Sequence, residues 1–149
     1  MLSRLGQVLC LAVAFGTQSA SAAPPVCSDE QAQMAETAAA TAHTWDAIYR
    51  AFEKYPGCDD GSVSEGYSET ITVLLSRHWG TVRGLQTRLN LTPAFRPFVV
   101  RHIDETVPAD RLKHIAQNAE NKCPSGAERF CREVESAAKG KAPSFKTGH

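Results

Sequence analysis

Beyond its first two dozen residues this chain has no apolar run near the about 20 residues a membrane-crossing helix needs. It has no stretch of sustained period-two alternation rich in β-branched residues, which argues against a sheet. Cys-x-x-Cys is absent, and with it the usual zinc pair, thiol-exchange pair and haem attachment. No two histidines stand three to five residues apart, and there is no His-Glu-x-x-His, so a zinc hydrolase has no ligand set. Gly-x-Ser-x-Gly and Gly-rich phosphate loops are missing too, which removes the common nucleophile and nucleotide signatures. Acids and bases balance at 16 each, and no nucleic-acid-binding motif occurs, so nucleic acid is not an expected partner. The reading therefore contains no metal and no cofactor.

What is present begins with an address. Arg4, an apolar run from Val8 to Gly16 and Ala20-Ser21-Ala22 have the three-part layout of a secretory signal. Cys10 lies inside it, but Gln7-Val8-Leu9 does not end in the small residue that a lipoprotein site wants. The expectation is a signal peptide over 1–22, cleaved near Ala22, and a periplasmic or secreted protein. A helical domain over 23–138 and a disordered basic tail over 139–149 follow.

After that cleavage four cysteines remain, Cys27, Cys58, Cys123 and Cys131. An even number in an exported chain predicts disulfides. Ser28-Asp29-Glu30-Gln31 fits a capping box, and Met34, Ala38, Thr41, Trp45, Ile48, Phe52 and Tyr55 follow at steps of four and three. This predicts one long first helix from Asp29 to Tyr55, about 40 Å in length. Cys27 and Cys58 would flank its opposite ends, beyond the roughly 7 Å that a disulfide tolerates between Cα atoms. On this reading they do not pair with each other; if both bridges form, each takes one of Cys123 and Cys131.

The best amphipathic run is CDDGSVSEGYSETITVLLSRHW, from Cys58 to Trp79. Ser62-Val63-Ser64-Glu65 reads as a second capping box, opening a helix over about Val63 to Trp79. Asp59 and Asp60 precede it, where negative charge suits a helix N-terminus. A calcium loop starting at either Asp lacks the glycine needed at its sixth position. Farther on, Val82, Leu85 and Leu89 predict a short helix. Thr92-Pro93 predicts a cap for a helix carrying Phe95, Phe98, Val99, His102 and Ile103, with Pro97 delaying its start or kinking it. Thr106-Val107-Pro108 starts another helix and Cys123-Pro124 breaks it. Ser125-Gly126-Ala127-Glu128 is a third box before the last one. The fold class is all-α: a single compact bundle of about five or six helices with a long first helix, stabilised by disulfides.

Charge is unevenly placed. From Ala23 to Glu69 there are nine acids against only Arg50 and Lys54. From Thr70 to Ile103 there is no acid, but Arg77, Arg83, Arg88, Arg96 and Arg101 occur there. Arginine carries a planar fork suited to carboxylate or phosphate. Two readings follow. Either these arginines pair with the acidic first half, contributing little to stability, or they converge on an acidic partner or an anionic ligand. Tyr49, at the edge of the first helix's seam, is the aromatic candidate for an exposed contact. His102 with Asp104 and Glu105 forms one candidate acid–base group at a helix end, and Asp59, Asp60 and Glu65 form a separate acidic set.

A signal peptide, four cysteines, compact helices and no catalytic motif give the chain a general character that resembles the small periplasmic binding, inhibitor or immunity proteins of Gram-negative bacteria. The function expected is that of an exported interaction protein, binding a partner protein without catalysis through Arg77, Arg83, Arg88, Arg96, Arg101 and Tyr49. The alternatives are a carrier of a small anionic or amphipathic ligand and, behind both, an enzyme using His102 with a carboxylate.

Overall fold

Ser28 opens the first helix as its sequence predicts. Its hydroxyl accepts the Gln31 N–H at 3.3 Å, and its own N–H donates to Gln31 Oε1 at 3.1 Å. In this computed structural model, which describes residues 26–140, α1 (Asp29–Thr41) is followed after a short turn by α2 (Trp45–Lys54). The single long helix is therefore corrected to two. Thr44 takes an extended backbone and its hydroxyl accepts the Ala47 N–H at 3.2 Å, so it caps a new helix where continuation was expected. The predicted seam runs in register across this break, which hid it. In α1 the seam residues Met34 and Thr41 face solvent, and the buried face is Ala35 and Ala39 instead.

Small residues on that face bring α1 hard against α3 (Gly61–Arg77). A Cβ added to Gly66 would lie 3.1 Å from the Ala39 Cβ and 3.3 Å from the Ala40 nitrogen. With α2 folded back along α1, the two ends of the hairpin meet. Cys27 bonds Cys58 across a Cα separation of 4.9 Å, and Cys123 bonds Cys131 across 6.0 Å. Both pairings overturn the expected ones: the break at residues 42–44, which the seam concealed, brings Cys27 to Cys58, and Cys123 and Cys131 bond locally across the connection that follows Asn121.

α3 is the central element, packed on α1, α2 and α6. It buries Tyr67, Ile71, Leu74 and Leu75, and its buried Thr70 and Thr72 hydroxyls donate to carbonyls of their own helix. Its cap is Asp60, whose carboxylate accepts the Gly61 N–H at 2.8 Å; the predicted cap at Ser62 lies inside the helix. Beyond a 3₁₀ turn at Trp79–Thr81 come α4 (Val82–Leu91), α5 (Phe95–Arg101), α6 (Ala109–Asn121) and α7 (Glu128–Ala138). The described residues are thus all helical, with seven α-helices where five or six were expected. Pro97 is the third residue of α5, in the first turn, where a missing N–H removes no intrahelical bond.

Phe95, Phe98, Phe130, Ile71, Leu75 and Ile115 are among the fully buried side chains of the core. Asn118 of α6 donates to the Leu75 and Ser76 carbonyls near the end of α3, and the Trp79 indole donates to the Lys122 carbonyl at 2.7 Å. The Cys123–Cys131 bridge ties the turn between α6 and α7. The predicted signal over 1–22 and residues 141–149 of the predicted tail lie outside the described residues. Lys139, at the start of that tail, pairs with Glu135 at 2.5 Å and Glu120 at 3.8 Å.

Candidate functional site

Residues 55–60 join α2 to α3, and Cys58 anchors them to Cys27. The next residue, Asp59, reaches α5. Its Oδ1 lies 3.0 Å from His102 Nε2, and its Oδ2 receives the Arg101 guanidinium. His102 ends α5, is 1% exposed, and places Nδ1 2.8 Å from the Phe98 carbonyl oxygen. Ser64 Oγ stands 3.4 Å from the same Nε2 that meets Asp59. Both imidazole nitrogens therefore face acceptors, a backbone carbonyl and a carboxylate. The ring donates to both only when both nitrogens carry hydrogen. Burial pushes the Asp59 carboxyl up, but the bonds and charges of His102 and Arg101 outweigh it and hold the group below its ordinary value.

This set has the residue types of a Ser-His-Asp triad without its wiring. A triad places the nucleophile on one ring nitrogen and the orienting carboxylate on the other. Here Ser64 and Asp59 share Nε2, and Nδ1 is taken by Phe98. Asp104 and Glu105, the nearer acids in sequence, do not join it: Asp104 turns back on Thr106, accepting from its N–H at 2.9 Å.

Beside this cluster lies a cleft of about 260 Å³. Phe52, Tyr55, Pro56, Tyr67 and Phe98 make it largely apolar, with Glu53, Asp59 and Arg101 supplying its charges. Arg101 lies over the Phe98 ring at 5.0 Å, and Phe98 meets Tyr67 edge-on at 4.9 Å. Burial, helped by the charge of Asp59, pushes the Tyr67 phenol up to about 12, so its hydroxyl remains a donor at neutral pH.

Of the five arginines singled out from sequence, only Arg101 lines this cleft. Arg88 pairs with Asp46 of α2 and lies 5.9 Å from the Tyr49 ring. Arg96 Nε sits 3.4 Å from Glu133 Oε2 of α7, an ion pair without an aligned hydrogen bond. Arg77 and Arg83 are exposed. Tyr49 shares hydrogen bonds with Glu53 at 2.5 Å and Thr92 at 2.6 Å and packs edge-on against Phe95. The structure thus brings Arg88 to Tyr49 and Arg101 to Asp59, and disperses the rest. Sequence reasoning assigned Asp59 and Ser64 to a helix start and Phe52 to the core. The Asp59–His102 contact spans 43 residues, and no spacing rule reports it.

Among the described residues, no group of three His, Cys, Asp or Glu side chains is placed to hold a metal ion, and no helix is long and apolar enough to cross a membrane. No family model, curated protein or solved structure matches the chain.

Proposed function

We propose that this chain is an exported binding protein that engages a partner protein through the aromatic cleft and catalyses no reaction. The observation that carries the reading is the wiring of His102. A general acid–base histidine must present a nitrogen to a substrate, whereas this ring is buried and spends both nitrogens on its own chain. The cluster acts as a fastening that holds residues 55–60 against α5. What it leaves open is the cleft, with an apolar floor, a phenolic donor and a half-exposed guanidinium. Buried apolar pockets that take one anchoring side chain, rimmed by polar groups, carry much of the energy in protein interfaces. Export is supported by the leader-like start and by two disulfides, which persist in oxidising compartments.

The cleft is tested by closing it. Glu53 is exposed on α2 and lines the cleft, so Glu53→Trp lays an indole across the mouth without entering the core. Capture from an envelope extract by the oxidised, tagged protein should yield one stoichiometric partner, lost in Glu53→Trp with disulfides and helix content unchanged. Capture that is indifferent to Glu53→Trp overturns the use of this cleft. An activity of the wild type that disappears in His102→Ala would overturn the non-catalytic reading itself.

A further inference from the structure

A second depression lies on the other side of Tyr55. It is a groove of about 370 Å³ between α1 and α2, lined by Ala38, Ala42, Ala47, Ala51, Arg50 and Lys54 along with Thr41 and Tyr55. Two independent facts make it unusual. Its apolar lining is mainly alanine, so a partner's backbone or bulky apolar side chains can approach closely. Its charges are all positive: Arg50 and Lys54 are the only bases between Ala23 and Glu69, against nine acids, and both line this one groove while no acid does. Asp46 does not cancel them. It is shared between Arg50 and Arg88, two guanidinium groups on one carboxylate. Lys54 lies 5.2 Å from the Tyr55 ring centre and is exposed.

We infer that this groove docks an acidic amphipathic segment of a partner protein, with its apolar side on the alanines and its carboxylates on Arg50 and Lys54. The inference rests on the partner-binding reading and names the partner's chemistry. Charge of one sign around an apolar trough selects an oppositely charged partner and speeds its association. A helix-in-groove contact uses this combination. An anionic membrane fits it less well. Surface-binding helices insert large apolar side chains beneath a polybasic face, whereas this groove is concave, alanine-floored and has two cations. Tyr55 lines both groove and cleft, so one partner segment can cross from the first to the second.

The test titrates isotope-labelled oxidised protein with a helical peptide carrying a leucine face and a glutamate face. Its lysine analogue and phosphatidylglycerol vesicles are the comparisons. The acidic peptide should shift the amides of Ala38, Ala42, Ala47 and Ala51, and Arg50→Glu with Lys54→Glu should weaken it by roughly tenfold or more. Arg50→Gln with Lys54→Gln, a milder change at the same exposed sites, should weaken it less and keeps a folded comparison available. Equal binding of the lysine analogue, shifts confined to other surfaces, vesicle binding through these amides, or no binding at all would overturn the inference. A captured partner lost in Glu53→Trp but kept by the double charge reversal would defeat the groove alone and leave the partner-binding reading standing.

Discussion

Two aspartates in this molecule each hold two side chains at once, and they behave differently. Asp59 lies between His102 and Arg101, with its side chain 14% exposed; Asp46 lies between Arg50 and Arg88 at 44%. The chemistry is nearly the same, and the surroundings decide its weight. At Asp46 water competes for every charge, so the pairs contribute little. At Asp59 one partner is a buried ring that has no other acceptor for Nε2 than the aspartate and Ser64, and losing the aspartate leaves that nitrogen underbonded. The first cluster decorates a surface. The second sets where residues 55–60 sit, and with them the cleft.

The largest perturbation of this contrast is the bridge beside Asp59. Replacing Cys27 and Cys58 by serine should destabilise the fold by about 3.7 kcal/mol, against about 2.5 kcal/mol for Cys123 and Cys131, on chain entropy alone. The sequence separations are 31 and 8 residues. Denaturant unfolding of the two serine pairs measures the difference. The Cys27–Cys58 pair should also release Asp59 from His102, seen as loss of slow exchange in the His102 ring protons, while Asp46 is untouched. Equal destabilisation by the two pairs would break the assignment of loop 55–60 to the first bridge.

Asp59→Ala comes next, at roughly 2 kcal/mol, the scale of a hydrogen bond to a charged group lost at a buried site. Asp46→Ala should shift the unfolding midpoint little. The two replacements sharpen the comparison most if both are measured at low and high salt. Screening removes what Asp46 contributes and spares most of what Asp59 contributes.

Acid supplies the third contrast. Asp59 has its folded value held below its unfolded one, so its contribution is complete above about pH 4 and is lost as pH falls through the folded value. Asp46 is lowered as well, chiefly by its hydrogen bond from Arg88 and by the nearby arginine charges. The directions agree, but in Asp59→Asn the acid limb of stability should flatten, whereas in Asp46→Asn it should follow the wild type. Stability against pH, measured by denaturant midpoints from neutral down to acid, distinguishes them. The smallest effect expected is that of Arg83→Ala, an exposed side chain, which should leave both folding and partner capture unchanged.

These contrasts also mark where the sequence was legible. Local chemistry was: the Ser28 box forms with both its bonds, α3 falls within two residues of its predicted span, and Cys123-Pro124 follows the end of α6. The break at Ala42–Thr44 was not, because the apolar steps from Thr41 to Trp45 run on across it and Thr44, off the seam, gives no signal of a new cap. That single omission propagated to the disulfides, since a straight helix and a hairpin place Cys27 and Cys58 at opposite distances. The cleft was half legible. Phe52 and Tyr55 were placed on the apolar seam and read as core, and His102 was picked out, but it was grouped with its sequence neighbours Asp104 and Glu105 and not with Asp59. The arginine cluster shows the same limit. No acid lies between Thr70 and Ile103, so Arg88, Arg96 and Arg101 find Asp46, Glu133 and Asp59 on other elements. Only the folded chain reports which.

The central claim is that loop 55–60 is fastened by Asp59 and His102 so that the cleft beside it can receive a partner. Its most direct measurement is quantitative partner capture from an envelope extract by the oxidised wild type and by Glu53→Trp, with helix content and disulfides checked in both. The account predicts one stoichiometric partner on the wild type and its loss on Glu53→Trp. Undiminished capture by the closed-cleft variant would contradict it.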